Sequence, residues 1–464
     1  MFEGIEPLQL FGGGLLHSAT VLLALLLISR ILRSPRAPSA SIGWIIVIIL
    51  LPVVGIPLYL IFGERKLKSY IKQKGQLGLP EIQDADDHSI NSLLTSIGIP
   101  SSSNGNKVSF HEDGKTAWDA LIALLDGAQH SIDIAIFILG NDLVGQRILA
   151  LLEDKVAQGV KVRLLLDGVG SFALAKKRLL PLTEHGGQVA WFSPVMHRPL
   201  HGRTNLRNHR KIIIVDKKNI WTGGRNLASE YLDPNGSPDC WVDLSFSLQG
   251  AAASIYNAIF EADWHFATGS PMSETMDMSQ LFLNGKSRVQ VIPSGPDVAD
   301  DPIYAAILMS CYTACRHIKI VTPYFIPDDG VQEALKLAAL RGVEVDLILP
   351  EKSNHRMADI ARNRYLRELA KAGVRIWFLA DNMVHAKSLV IDNIFAMAGS
   401  ANMDIRSLFL NCEVMSGFYS EDDILWLANW FESLRERTIR HYPQPVGAIR
   451  EMVEGITLLG AYQL

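Results

Sequence analysis

The stretch NHRKIIIVDKKNIWTGGRN, residues 208–226, decides how this chain is read. His209 and Lys211 flank a single residue, Asp216 follows on the same run, and Gly223, Gly224, Arg225 and Asn226 close it. The same grammar returns in VHAKSLVIDNIFAMAGSAN, residues 384–402, as His385, Lys387 and Asp392, then Gly399, Ser400, Ala401 and Asn402. A single His-x-Lys with a following Asp arises easily by accident. Two copies with the same downstream spacing mark an internal duplication.

The duplication extends outward from both motifs. Upstream of the first, SIDIAIFIL and VKVRLLLDG are separated by the helical pattern LVGQRILALLEDKVAQG. Upstream of the second, HIKIVTPYFI and VEVDLILP are separated by GVQEALKLAALRG. Short β-branched runs alternating with helices predict βα units around a largely parallel sheet. Gly159 and Gly342 stand where each helix ends and read as C-caps. QVAWF and VRIWF align Trp191 with Trp377. Downstream, Asp243 in CWVDLSF and Glu413 in NCEVMSG recur as acids among apolar residues, each following the histidine of its own half. The halves read as two α/β lobes, 108–270 and 271–440, with mixed β-sheets flanked by helices. The first lobe carries about ten extra residues within SPVMHRPLHGRTNLRN, which hold His197, Arg198, His201, Arg203 and Arg207. They read as a basic rim for an anionic substrate or as a solvated loop.

Residues 10–29 and 43–62 contain no charge, and each is long enough to cross a bilayer core. They predict an N-terminal transmembrane hairpin over 1–64, followed by a basic flank and polar linker, 65–107, and a C-terminal tail, 441–464. Arg65, Lys66, Lys68, Lys72 and Lys74 outnumber Arg30, Arg33 and Arg36 in the turn. This bias favours lobes on the cytoplasmic side of a bacterial inner membrane. The net charge of −4 argues against nucleic acid as a partner. The four cysteines lack metal-ligand spacing, and no metal or cofactor is implied.

If each His-x-Lys lies on a strand, His209 and Lys211 face one way, as do His385 and Lys387. Pseudo-twofold pairing then brings two histidines and two lysines to one pocket. The lysines, with Asn226 and Asn402, suit the non-bridging oxygens of a phosphodiester, beside Gly224, Ser400 and Arg207. One neutral imidazole attacks phosphorus while the other protonates the leaving alcohol. Asp243 and Glu413 are candidates to orient the rings. Asp216 and Asp392 complete the catalytic motif, but at strand ends they read as ties between strand and loop.

This constellation resembles the phospholipase D superfamily, over about residues 108–440. The resemblance implies a pseudo-twofold α/β fold, a phosphohistidine intermediate and metal-free chemistry. Within the superfamily, the N-terminal segments together with NLRNHRKI, VIPSGPD and TPYFIPDDG are similar to those of bacterial cardiolipin synthases. That implies phosphatidyl transfer between two phosphatidylglycerol molecules at a bilayer, giving cardiolipin and glycerol. A membrane-bound phospholipase D that hydrolyses, a transferase using phosphatidylethanolamine as donor, a nuclease and a non-catalytic scaffold are the alternatives. Tyr324, Phe325 and Ile326 are expected to line an apolar approach to the site.

Overall fold

The computed structural model describes residues 7–33, 38–62, 74, 77–82, 88–193, 206–272 and 285–459. The chain divides into two compact units, residues 1–67 with 196–205, and residues 68–195 with 206–464.

In the first unit, helices α1 (Pro7–Leu32), α2 (Pro38–Leu50) and α3 (Pro52–Phe62) fold against one another. Leu27 and Ile31 pack against Ile48, Ile56 and Tyr59, and Trp44 meets Tyr59 edge-on at 5.4 Å. Val21, Leu22, Leu25, Leu26, Ile46, Ile49 and Val53 point outward. The expected second continuous segment, 43–62, is divided between α2 and α3 at Leu51, because Pro52 has no N–H to continue the ladder. Among the described residues, no helix is long and apolar enough to cross a membrane.

The second unit holds both lobes. The first lobe supplies β1 (Ser103–His111), β2 (Ser131–Ile136), β3 (Lys161–Asp167), β4 (Gln188–Phe192), β5 (Ile212–Val215), β6 (Asn219–Gly223) and β7 (Ser245–Gln249). The second supplies β8 (Ser287–Ser294), β9 (His317–Val321), β10 (Phe325–Ile326), β11 (Glu344–Pro350), β12 (Arg375–Leu379), β13 (Ser388–Ile391), β14 (Phe395–Gly399), β15 (Met403–Asp404), β16 (Glu413–Phe418) and β17 (Ile439–His441). Fifteen of these run in one mixed sheet, in the order β17-β12-β11-β9-β13-β14-β16-β8-β1-β7-β6-β5-β2-β3-β4. Counted outward from the β8–β1 pair, seven strands of each lobe correspond, and β17 extends the second lobe beyond β12 without a counterpart. In each, a parallel trio (β2-β3-β4, β9-β11-β12) joins an antiparallel hairpin that follows the motif (β5-β6, β13-β14). The middle strands of the trios, KVRLLLD and EVDLILP, are nearly continuous apolar runs, as burial on both faces requires. The helices before them end as the sequence predicts. Gly159 and Gly342 adopt φ of +89° and +92°, and the next residue's N–H returns to Lys155 and Ala338 carbonyls respectively.

Two expected boundaries move. The stretch 65–107 is not polar linker throughout. A helix over Ser89–Ser96 places Ile90 and Leu94 in the second lobe's core, beside Ile303 and Ile307. β1 begins at Ser103, ahead of Val108, because it is the central strand joining the two halves of the sheet. Lys74, expected in a basic flank, is buried instead, which leaves four flanking cations against three in the turn. The tail forms a helix, Ala448–Leu459, fixed to the helix Arg356–Lys371 by Arg367 and the buried Glu454.

Candidate active site

Each motif lies on the extended lead-in to its strand, not on the strand itself: His209 and Lys211 precede β5, and His385 and Lys387 precede β13. The backbone there pairs with the other lobe. His209 N–H donates to Cys412 O at 2.9 Å, and Cys412 N–H to Arg207 O at 2.9 Å. In the mirror arrangement His385 N–H donates to Val242 O at 2.7 Å, and Val242 N–H to Met383 O at 2.9 Å. Cys412 and Val242 directly precede Glu413 and Asp243. Each acid is thus delivered behind the histidine of the opposite lobe, not its own. His209 Nδ1 is 2.9 Å from Glu413 Oε1, and His385 Nδ1 is 2.7 Å from Asp243 Oδ2. An ionised carboxylate only accepts, so each Nδ1 carries the proton and each Nε2 keeps its lone pair.

Electrostatics keep these assignments in place. Burial would raise both acids, but Lys387 and His385 outweigh it and hold Asp243 at about 2. His209 and Lys211 likewise hold Glu413 below the usual range. Burial lowers His209 to about 4, with Glu413 opposing, and His385 to about 3, with Lys387 adding to the effect. Both rings are therefore neutral at pH 7 in the empty site, and an anion entering it favours protonating one of them. Burial also lowers Lys211 to about 7 and Lys387 to about 8. Lys387 Nζ lies over the His385 ring edge, 2.7 Å from Nδ1 and 3.1 Å from Nε2, and Lys211 Nζ donates to His209 O at 2.7 Å. These ammonium groups are charged below their shifted values and neutral above them. We expect kcat/KM to fall as pH rises through about 7 to 8, which a pH–rate profile reads directly. An alkaline limb that begins only above pH 9 would show that the ammonium charges are not needed.

Both histidines open into one cavity of about 250 Å³. A larger cavity of about 770 Å³ lies along the ends of β2 and β3, but its charged groups Asp133, Arg163 and Lys217 are already paired with one another. Asn226 and Asn402 line the smaller cavity. Asn226 accepts from Ile138 N–H at 3.2 Å and bonds Tyr231, while Asn402 bonds Asp404. Gly224 and Ser400, expected at the substrate, face the acids. A Cβ at Gly224 would stand 2.1 Å from Asp243 Oδ1, and Ser400 Oγ donates to Glu413 Oε2 at 2.5 Å. Arg207 is buried against Ser193 O at 2.9 Å and Asp167 Oδ1 at 3.4 Å and is not among the lining residues, although its charge is felt by Arg406, which is. Asp216 and Asp392 lie outside the cavity lining. Each accepts three backbone N–H groups, from Gln129, His130 and Ser131 or from Cys315, Arg316 and His317. They tie the hairpin to the start of β2 or β9. His197, Arg198, His201 and Arg203 lie outside the described residues.

Tyr324 lines the cavity, whereas Phe325 and Ile326 are core residues of β10. The sequence reading missed the aromatic seats of the two rings. Phe137 meets His209 edge-on at 4.8 Å, and Tyr231 meets His385 edge-on at 4.9 Å. It also missed Asn354, His355, Asp404, Arg406, Ser407 and Asn411. Behind His209, Arg210 donates to Asp263 and Asp297, Asn208 donates to Asp263, and Lys74 pairs with both acids. Asp263 comes from the first lobe's helix Ala252–Thr268 and Asp297 from the loop after β8, so this buried network spans the lobes.

The model described as cardiolipin synthase, PLD-like domain, matches residues 121–264 and 308–435, and the one described as phospholipase D-nuclease N-terminal matches residues 22–64. The chain is 32% identical to cardiolipin synthase 1 of Bacillus cereus, over 86% of this chain and 83% of that protein. It is 32% identical to the cardiolipin synthase of Geobacillus kaustophilus, over 92% and 89%. Its fold is similar to the phosphatidylserine synthase of Haemophilus influenzae, with a TM-score of 0.63 at 14% identity over 81% of this chain and all of that one. With two His-x-Lys halves around one pocket and relatives matched along most of its length, the chain belongs to the phospholipase D-like cardiolipin synthase family.

Proposed function

We propose that this protein is a phosphatidyltransferase that makes cardiolipin from two molecules of phosphatidylglycerol. The observation that carries the reading is the pair of imidazoles in one cavity, each backed by the other lobe's carboxylate and accompanied by a lysine. In the first step His209 Nε2 attacks phosphorus, a P–N bond forms, and the P–O bond to the glycerol headgroup breaks. His385, protonated as the anionic substrate enters, gives its proton to the departing glycerol oxygen. In the second step His385 takes the proton from a terminal hydroxyl of another phosphatidylglycerol, whose oxygen displaces the histidine. The lysines neutralise the charge that builds on the non-bridging oxygens. His209 is assigned the nucleophile because further side chains hold its acid, whereas the further bond to Asp243 comes from the adjacent Leu244 N–H at 2.7 Å. Glu413 also receives Ser400 Oγ at 2.5 Å and Asn411 Nδ2 at 3.4 Å, fixing a ring that must align with phosphorus.

The apolar exterior of α1, α2 and α3 gives the protein its hold on the bilayer that contains its substrates. Attachment there raises the concentration of lipid hydroxyl against water, as synthesis over hydrolysis requires. Mass spectrometry of lipids after incubating the purified full chain with phosphatidylglycerol alone tests the function. Cardiolipin with free glycerol is the expected result. Phosphatidic acid without cardiolipin would make the protein a hydrolase, and cardiolipin formed only when phosphatidylethanolamine is added would change the donor.

A further inference from the structure

The two walls of the cavity are chemically unequal although the motifs are symmetric. The first lobe contributes Phe137, Ile138, Asn226 and Tyr231 beside His209, while the second contributes Asn402, Asp404, Arg406, Ser407 and Asn411. Three atoms of that second wall, Asn402 Oδ1, Ser407 Oγ and Asn411 Oδ1, have no hydrogen-bond partner among the described residues. Their residues are only 7%, 1% and 6% exposed. Buried polar atoms without partners are rare and costly, so three on one wall of one cavity call for a ligand.

Their chemistry states what that ligand offers. The two amide oxygens accept only, and the serine hydroxyl both donates and accepts. A phosphodiester oxygen carries no hydrogen and cannot satisfy an amide oxygen. A pair of neighbouring hydroxyls can, because each donates one hydrogen to an amide oxygen and one of them also accepts the single Ser407 hydrogen. The local fold presents the wall as a unit. Asp404 caps the short helix Ile405–Phe409 by accepting Ser407 N–H at 2.7 Å, and Asn411 is held by its amide nitrogen on Glu413. These internal bonds leave the Ser407 hydroxyl and the two amide oxygens uncommitted.

We propose that Asn402, Ser407 and Asn411 form a vicinal-diol subsite that holds the glycerol headgroup of phosphatidylglycerol and selects it over headgroups without hydroxyls. This rests on the phosphatidyl-transfer reading above. Bound there in the donor lipid, the 2-hydroxyl and the terminal hydroxyl donate to the wall, and the headgroup's own phosphorus is presented to the histidines.

The test compares two soluble short-chain lipids, dihexanoyl phosphatidylglycerol and dihexanoyl phosphatidylpropanol, which share a phosphodiester and differ only in headgroup hydroxyls. With the full-length enzyme, kcat/KM for headgroup release should favour phosphatidylglycerol by about 100-fold or more, the scale on which sites built for a hydroxyl reject its absence. Ser407→Ala removes an oxygen with no partner among the described residues, so no internal bond is lost. It should lower kcat/KM for phosphatidylglycerol about 10-fold and leave that for phosphatidylpropanol within twofold. Equal use of the two lipids by the parent protein would overturn the subsite, as would an unchanged preference in Ser407→Ala. The same preference is read as a ratio of Kd values in the inert His209→Ala protein, so the result does not depend on turnover. Retained preference with phosphatidic acid as product would remove the transferase reading and leave the subsite standing.

Discussion

His209→Ala and His385→Ala should each lower the rate of cardiolipin formation by about four orders of magnitude or more, with the fold unchanged. The loss is this large because the two residues act on the same phosphorus in one step, so removing either leaves no alternative path. The two variants part ways on an activated donor. A phosphatidyl ester of p-nitrophenol leaves as a stabilised anion and needs no proton. On that substrate His385→Ala should recover attack, release one equivalent of p-nitrophenol in a burst, and stall with the phosphatidyl group on His209. His209→Ala should show no burst. The phosphorylated peptide, isolated under alkaline conditions, should contain His209. A burst in His209→Ala with label on His385 would exchange the two roles and leave the proposed function intact. No burst in either variant would count against a covalent intermediate.

The architecture around these histidines was legible because duplication doubled each weak signal. A strand acid such as Asp243 says little alone, and its recurrence as Glu413 marked both. The parallel trios could be read from apolar runs such as KVRLLLD and EVDLILP, whose burial leaves no polar face. What the sequence could not convey was the crossing between lobes. Spacing aligns Asp243 with His209, and only the bridges Asn208–Cys412 and Val242–Val384 redirect each acid to the opposite ring. Lys74 was misread for a related reason. It is one cation among five in a flank, and its buried partners Asp263 and Asp297 lie 189 and 223 residues away. The polar wall of Asp404, Ser407 and Asn411 also escaped notice, since it belongs to one lobe only and carries no repeat. Pro52 was visible, but an apolar run tolerates a proline in membrane helices, and the break between α2 and α3 was not anticipated.

The crossing itself predicts a second large effect. Glu413→Gln and Asp243→Asn preserve size and one acceptor but remove the charge that steadies the imidazolium and fixes its tautomer. Each should lower kcat by about 10² to 10⁴, the range seen when the carboxylate behind a catalytic histidine is neutralised. Because Asp243 and Glu413 are fully buried, a general structural disturbance could also reduce activity, so the deciding measurement is made on the rings. With ¹⁵N-labelled histidine, Glu413→Gln should shift the ring nitrogens of His209 and leave those of His385 in place, while Asp243→Asn should do the reverse. His209 is bonded only to the second lobe's acid and His385 only to the first lobe's, at 2.9 and 2.7 Å. If each acid instead perturbed the histidine of its own lobe, the cross-lobe geometry would be wrong, and the lobes would be independent half-sites. If the predicted pattern holds, neither lobe contains a complete catalytic histidine. The active site then exists only where the two lead-ins pair with the opposite lobe, which gives the duplicated halves a chemical reason to share one continuous sheet.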